Sequence, residues 1–246
     1  MPETIFSVQL FATCLVDAIR PAAGLATLRL LERLGVKVIV PSGQTCCGQP
    51  AFNSGCLTDA RAMARYTIDL LEKSPVPIVV PSGSCSDMIV HRYRELLADD
   101  PAYASKAERV AARTYELSQY LSDVLKVQDV GAQCRRTITY HPSCHLLRGL
   151  GVRSAPSQLL DSIADARCVS LPGAEDCCGF GGTFAVKMGE LSSAMLNRKL
   201  DAIVESGADT VVACDVGCLM HIEGGLKRRG SNVVVRHLAE VLVESE

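Results

Sequence analysis

The amino-acid sequence predicts an α/β fold built from two similar parallel halves that are related by internal duplication. Short apolar runs rich in β-branched residues alternate with longer stretches of helical periodicity, a pattern typical of parallel α/β architecture. The same order of runs occurs twice along the 246 residues. Each half also carries a cysteine, then a Cys-Cys-Gly motif, then a final cysteine. We therefore interpret the chain as two versions of one Rossmann-like unit.

The first half opens with a strand and then alternates helices with strands. Gly35 and Pro41 punctuate the pattern, because glycine commonly ends a helix and proline interrupts regular structure. The predicted elements are a strand over 6–11, a helix over 22–34, a strand over 36–40, a glycine-rich loop over 42–55, a helix over 58–72 capped by Thr58, and a strand over 78–80 before a loop that carries Cys85.

The second half repeats this order after a charged segment of helical spacing. Its predicted elements are a strand over 137–140, a helix over 156–163, a strand over 168–171, a glycine-rich loop over 173–183, a helix over 192–205, a strand over 210–213, a loop carrying Cys214 and Cys218, a strand over 233–235 and a helix over 237–243. The predicted domains are two cysteine-rich repeats, 1–91 and 134–246, joined by a helical connector over 92–133.

Composition narrows the classes of function. Hydrophobic residues make up 48% and charged residues 21% of the chain, as in a globular protein. A net charge of −2, an aromatic content of 4% and the absence of tryptophan argue against a surface for nucleic acid. Residues 1–4 lack the character of a signal peptide, and no apolar run is long enough to cross a bilayer. We expect a cytoplasmic protein that meets a membrane only through its partners.

The twelve cysteines stand out from this composition. Disulfides rarely persist in a reducing compartment, so metal binding is the first explanation to consider. Eight cysteines occupy matching positions in the two halves, at intervals of 32 and 33 residues before the Cys-Cys pair and 38 and 40 residues after it. The first set is Cys14, Cys46, Cys47 and Cys85, and the second set is Cys144, Cys177, Cys178 and Cys218.

Each of these cysteines follows a predicted strand. Because the carboxyl ends of parallel strands meet at one edge of a sheet, each set is predicted to form a thiol-lined site. Thiolates favour zinc or iron–sulfur clusters. Adjacent cysteines suit a wide four-iron cluster better than one small ion, since successive side chains diverge. We therefore predict two iron–sulfur clusters of the [4Fe–4S] type, with structural zinc as the alternative.

The remaining chemistry-bearing residues have plausible structural roles. Cys56 and Cys168 lack counterparts in the other half and are interpreted as core-filling residues, and Cys134 as an ordinary thiol. Cys214 is left open between a fifth ligand, a resolving thiol and a bystander. Five polar residues lie near the predicted site loops and are candidates for tuning a cluster or binding a carboxylate, although exposed or capping roles are commoner: His141, His145, His221, Arg148 and Lys187.

Over nearly its whole length the chain resembles the cysteine-rich family that includes heterodisulfide reductase and related iron–sulfur proteins. Its segments CCGQPAFNSG (46–55), HPSC (141–144) and CCGFGGTF (177–184) are similar to the lactate-utilisation branch of that family. The resemblance implies an iron–sulfur electron-transfer subunit of a multi-protein system that oxidises L-lactate to pyruvate. It also implies two partners, a ferredoxin-like iron–sulfur subunit and a third lactate-utilisation subunit, and an oxidoreductase activity that is incomplete in this chain alone.

The sequence departs from the wider family pattern at two positions. Each family repeat ends in Cys-x-x-Cys, whereas here Ser82 and Asp215 replace the first of the two cysteines. Four cysteines per repeat still suffice for a [4Fe–4S] cluster but argue against the five-cysteine cluster of heterodisulfide reductase. Ser82 or Asp215 could supply an oxygen ligand, although a turn or capping role is more common.

Two alternatives follow from the resemblance. A thiol–disulfide oxidoreductase subunit is disfavoured by the missing cysteines. A glycolate oxidase-type iron–sulfur subunit is disfavoured because the sequence has no ferredoxin-type run of closely spaced cysteines.

Overall fold

A computed structural model of the chain describes residues 6–245. These residues form two four-stranded sheets in which all neighbouring strands are parallel. The first sheet contains β1 (Ser7–Leu10), β2 (Lys37–Ile39), β3 (Ile78–Val80) and β4 (Thr114–Glu116). The second contains β5 (Thr137–Tyr140), β6 (Arg167–Val169), β7 (Thr210–Ala213) and β8 (Val234–His237). Residues 1–4, on which the signal-peptide prediction depended, lie outside the described part.

The strands follow the same order in both sheets, β2-β1-β3-β4 and β6-β5-β7-β8. In the first sheet Gln9 lies opposite Ile39 on one side and Ile78 on the other. The order reverses beside β1 and beside β5, and such a reversal opens a crevice at the carboxyl ends of parallel strands. The predicted α/β fold with two duplicated parallel halves is confirmed.

Helices connect the strands in both halves. Those of the first half are α1 (Cys14–Ile19), α2 (Pro21–Arg33), α3 (Gln49–Asn53), α4 (Leu57–Leu71), α5 (Gly83–Asp87), α6 (Tyr93–Leu97), α7 (Ala104–Ala112) and α8 (Leu117–Gln119). Those of the second half are α9 (Ala155–Asp161), α10 (Thr183–Lys187), α11 (Gly189–Glu205), α12 (Val216–Arg228) and α13 (Leu238–Leu242). Wider π-helical turns occur at Met88–Arg92, Tyr120–Val124 and His145–Gly149.

Among residues 6–245, no helix combines the length and apolar character that crossing a bilayer requires.

Helix α4 shows how the sequence specifies the connecting helices. Its buried residues Ala60, Ala64, Ile68 and Leu71 recur every three or four positions and form one apolar face. Thr58 lies inside this helix, whose N-cap residue is Cys56, so the predicted threonine cap is wrong.

The predicted helical connector contains a strand. Thr114–Glu116 forms β4 and pairs with β3, with Val80 opposite Glu116. The prediction of a helical connector over 92–133 is therefore wrong at these residues. Three residues are too few to show an alternating pattern, and the neighbouring helix α7 extends the helical periodicity up to them.

Several predicted loops also contain helices. Cys218, predicted to lie in a loop, lies in the first turn of α12. Cys85, also predicted to lie in a loop, lies in α5. The helix propensity of α12 is lowered by three glycines, Gly217, Gly224 and Gly225. For this reason the sequence pattern did not predict a helix there. Burial of its apolar face stabilises the helix, as tertiary packing commonly does for helices of weak propensity. The glycine-rich loops are likewise shortened by α3 and α10.

The largest group of buried apolar residues belongs to both halves. It joins Val8 and Leu30 of the first half to Ile138 and Val212 of the second. Helix α2 also packs against the C-terminal helix α13. This packing fixes the position of the carboxyl ends of one sheet relative to those of the other. The candidate site lies between these ends.

Candidate metal centre

All eight matching cysteines line one cavity of about 200 Å³. The two sets come from the carboxyl ends of different sheets, so the halves face each other across this space. Sequence spacing predicted the grouping within each half. It carried no information on how the two groups would lie relative to each other.

The first set is held by three connections that follow strands. Cys14 is the first residue of α1, which follows β1. Cys46 and Cys47 lie in the loop between β2 and α3, and Cys85 lies in the first turn of α5 after β3. The positive end of a helix dipole and its free N–H groups stabilise a thiolate, so helix N-termini suit the ligands of an anionic group.

The second set occupies the equivalent connections. Cys144 follows β5 directly before the turn at His145–Gly149. Cys177 and Cys178 lie between β6 and α10, and Cys218 lies in the first turn of α12 after β7. The eight thiols thus preserve the duplication seen in the sequence.

The glycine of each Cys-Cys-Gly motif adopts a left-handed conformation, with φ of +88° at Gly48 and +87° at Gly179. At Gly179 an added Cβ would lie 2.7 Å from the carbonyl oxygen of Ser192. Glycine is therefore required there both for the conformation and for the close approach to α11. This turn directs the two preceding cysteines into the cavity.

The thiols within each set contact one another. The Sγ atoms of Cys47 and Cys85 are 3.3 Å apart. Hydrogen bonds from Cys14 and Cys47 lower the pKa of Cys46 to about 3. The equivalent bonds from Cys144 and Cys178 lower the pKa of Cys177 to about 2. A lowered pKa favours the thiolate, which is the form that ligates metals.

Within residues 6–245 all twelve cysteines are free thiols. Cys47, Cys85, Cys178 and Cys218 are buried at the cavity, whereas the other four members of the two sets are half-buried. Clustered, unpaired, soft donors in a buried space fit a thiolate-bound metal group. The donor set is therefore chemically consistent with the predicted metal sites.

A family model described as a cysteine-rich domain matches residues 8–90 and 138–223, one stretch in each half. Two relatives, from Bacillus cytotoxicus and Bacillus subtilis (strain 168), are both named lactate utilization protein A. Each is 47% identical over 235 residues, which cover 96% of this chain and 98% of the relative. The chain belongs to the lactate utilization protein A family.

A solved structure shares the fold of this family member. It is a hypothetical protein from Helicobacter pylori, 12% identical, with a TM-score of 0.63. The superposition covers 98% of this chain and 49% of that one, so the chain corresponds to about half of the larger protein. At this level of identity the likeness concerns the fold alone.

In this lactate utilization protein A family member, Ser82 and Asp215 are helix N-caps. The side chain of Ser82 accepts from Cys85 N, and that of Asp215 accepts from Gly217 N. Ser82 Oγ also donates to Asp215 Oδ2 over 3.1 Å, and Ser84 N donates to the same oxygen over 2.9 Å. These oxygens are engaged in capping and in joining the two halves, which favours the capping interpretation over metal ligation.

The candidate histidines differ in their surroundings. The ring nitrogen of His141 and the Sγ atoms of Cys178 and Cys218 lie within 4.8 Å of one another. His145 lines the cavity and its Nδ1 lies 2.7 Å from Asp87 Oδ2, a contact that raises the pKa of His145. His221 Nε2 is 3.4 Å from Ser192 Oγ. Arg148 and Lys187 are exposed, and neither lines the cavity.

The four cysteines outside the two sets do not line the cavity. Cys56 and Cys168 are exposed, so their interpretation as core-filling residues is wrong. Cys134 is buried in the shared core. Cys214 is also buried there, with its Sγ 3.6 Å from Tyr140 Oη, which favours a packing role over a fifth ligand.

Three supporting residues were missed from the sequence. Gln44 joins the loop that carries Cys46 to the chain at the end of β1. Its Nε2 donates to Leu10 O over 2.9 Å, and its Oε1 accepts from Ala12 N over 2.7 Å. Lys199 is buried in α11 and donates to Gly173 O and Ala174 O, which orders the loop before Cys177. Asp87 is the buried partner of His145. None lies in a motif, and no local signal distinguishes them from ordinary polar residues.

Proposed function

We propose that the chain is the iron–sulfur electron-transfer subunit of a multi-protein system that oxidises L-lactate to pyruvate. The observation that carries the proposal is the convergence of two duplicated four-cysteine sets on one cavity. Iron–sulfur clusters supply one-electron transfer when bound in such thiolate sites. Each set would hold one cluster of the [4Fe–4S] type.

The donor arrangement supports an iron–sulfur cluster over a single zinc ion. Each set contains adjacent cysteines, and structural zinc sites commonly use pairs separated by two to four residues. The residues around each set would provide thiolates, backbone N–H groups at helix N-termini and a partly buried cavity. These features set the potential of a bound cluster.

Lactate as the substrate is proposed from the family, whose members from Bacillus are named lactate utilization protein A. We propose that a ferredoxin-like iron–sulfur subunit and a third lactate-utilisation subunit complete the system in the cytoplasm. The cavity has no arrangement of side chains that we assign to lactate binding. The chain is thus proposed to relay electrons and to lack complete lactate dehydrogenase activity by itself.

The metal content of anaerobically purified protein tests the proposal. We expect about eight irons and about eight acid-labile sulfides per chain, with broad visible absorbance that bleaches on reduction. Zinc in place of iron and sulfide, persisting after anaerobic cluster reconstitution, would reject the electron-transfer function. Loss of the absorbance on addition of lactate together with the two partner subunits, and not with either alone, would support the three-component arrangement.

A further inference from the structure

The two cysteine sets differ at one equivalent position. Phe11 and His141 each follow the last residue of the first strand in their half, and each lies three residues before a cysteine of its set. Their backbones are held alike, because Phe11 N donates to Val79 O over 3.0 Å and His141 N donates to Val212 O over 2.8 Å. The duplication thus places an apolar ring in one half and an imidazole in the other.

His141 is buried, with 1% of its surface exposed. Neither its Nδ1 nor its Nε2 has a hydrogen-bond partner within residues 6–245. Buried polar side chains nearly always have partners, so an imidazole with two unengaged nitrogens needs an explanation. The Sγ atoms of Cys178 and Cys218 lie no more than 4.8 Å from one of its ring nitrogens.

The chemistry of the ring also suits a ligand. A neutral imidazole has one nitrogen with a free lone pair and one that carries a proton, and it is the form that binds metals. At Phe11 no such donor exists.

We propose that His141 donates a ring nitrogen to the metal group held by the second cysteine set, next to Cys178 and Cys218. The proposal rests on the proposed function in that it requires a metal group in this set. The second set then offers five donor side chains, four thiolates and one imidazole, whereas the first set offers four thiolates. The two metal groups are therefore chemically unequal although their cysteines match.

The inequality has an electrochemical consequence. Imidazole raises the potential of an iron–sulfur group where it replaces a thiolate, whereas here it would be added to four thiolates, so the two groups should differ in reduction potential. One of the two groups should therefore accept an electron before the other. A fixed order of reduction would give electron flow between the halves a direction.

Pulsed EPR on the full chain tests the ligand. The protein is purified anaerobically, labelled with ¹⁵N-histidine, assayed for iron and sulfide, and reduced. We expect the wild type to show one strong histidine-nitrogen coupling, and His141→Phe, which copies the residue of the first half, to lose it. In the same variant the potential of one of the two groups should shift while the other stays unchanged.

His221→Asn is the matched control, because His221 also belongs to the second half but already contacts Ser192. It should retain the nitrogen coupling. Iron-loaded wild-type protein without this coupling would overturn the proposal and leave the proposed function intact. Protein without iron or zinc would overturn both. If zinc is bound instead, the proposed function fails, and zinc K-edge absorption decides whether His141 is among the ligands of that ion.

Discussion

At the scale of single residues, substitutions can distinguish the cysteines of the two sets from the four cysteines outside them. Cys47 lies in the cavity in contact with Cys85, whereas Cys56 is exposed and does not line it. A serine hydroxyl is a harder and weaker donor for iron than a thiolate. Cys47→Ser should therefore lower the iron and sulfide content by about half, since one of two sites is damaged. Iron and sulfide analysis of anaerobically purified variants measures this loss.

Cys56→Ser is the matched control and should leave both contents unchanged. Equal losses in the two variants would refute the assignment of cysteines to sites. Loss of all iron from Cys47→Ser would instead show that the two sets bind their groups cooperatively across the shared cavity.

Glu116 is a second residue whose environment has a measurable effect. It lies at the end of β4 and is fully buried. Its Oε2 accepts from Ser118 N over 2.8 Å and from the Ser118 hydroxyl, while Oε1 has no partner within residues 6–245. Burial raises the pKa of Glu116 to about 7, from an ordinary value of 4.5. The folded chain therefore keeps a proton that the unfolded chain releases.

This proton links folding to pH. Between about pH 4.5 and about pH 7 the folded state binds more protons, so the free energy of unfolding should fall as pH rises. The loss due to Glu116 should be of order 3 kcal/mol above pH 7. Glu116→Gln should remove this part of the slope and stabilise the protein at pH 8, because an amide stays neutral. Urea unfolding of both proteins across this pH range measures the difference; identical slopes would contradict the assignment.

At the scale of elements, the turn after each cysteine pair makes unequal demands on its glycine. An added Cβ at Gly179 would lie 2.7 Å from a backbone oxygen of α11, whereas at Gly48 the nearest atom is the Met63 Cβ at 3.2 Å. Gly207 also has a positive φ, of +67°, but nothing lies within 4 Å of its added Cβ. An alanine would therefore be strained by the backbone conformation at all three positions, whereas its steric crowding would differ among them.

These contacts predict an order of stability among three alanine variants. Gly207→Ala should cost about 1–2 kcal/mol, the strain of a left-handed residue with a side chain. Gly48→Ala should cost somewhat more and Gly179→Ala the most, because the backbone of α11 cannot yield as a flexible side chain can. Thermal denaturation of the three variants tests the order. A Gly179→Ala protein as stable as Gly207→Ala would contradict the close approach to α11.

The strands and helices differ in how well the local sequence predicted them. Strands β3, β5 and β7 agree with their predicted ranges, because compact β-branched runs with clear boundaries specify them. Helices α5 and α12 were predicted as loops. Their N-caps, Ser82 and Asp215, are typical capping residues, and each stands where the wider family pattern has a cysteine. Capping signals in these two segments could have identified both helices.

At the scale of the whole molecule, the two halves are joined by buried polar contacts as well as by apolar packing. Gly83 N donates to Cys214 O over 3.2 Å, and His237 Nε2 lies 3.2 Å from Pro81 O. Arg20 donates to Val235 O over 2.7 Å and pairs with Glu240 over 3.3 Å. Together with the shared core, these contacts favour unfolding of both halves as one unit.

Calorimetry and circular dichroism can test this cooperativity. The full chain should unfold in a single transition. Fragments 1–133 and 134–246 should each lack a cooperative transition, because each would expose its side of the shared core. The cut follows residue 133 so that β4 stays with the sheet it completes. Two separate transitions, or fragments that fold alone, would show that the repeats are independent domains.

The sequence by itself determined the two halves, most of their strands and the two cysteine sets, because residue periodicity, turn residues and repeated spacing are local properties of the chain. Only the tertiary structure decided that both sets share one cavity and that Ser82 contacts Asp215. It also decided that Asp87 pairs with His145 and that His141 is buried without a hydrogen-bond partner within the described residues. These features depend on contacts between residues far apart in sequence, several of them between the halves, and such contacts leave no periodic pattern in the chain.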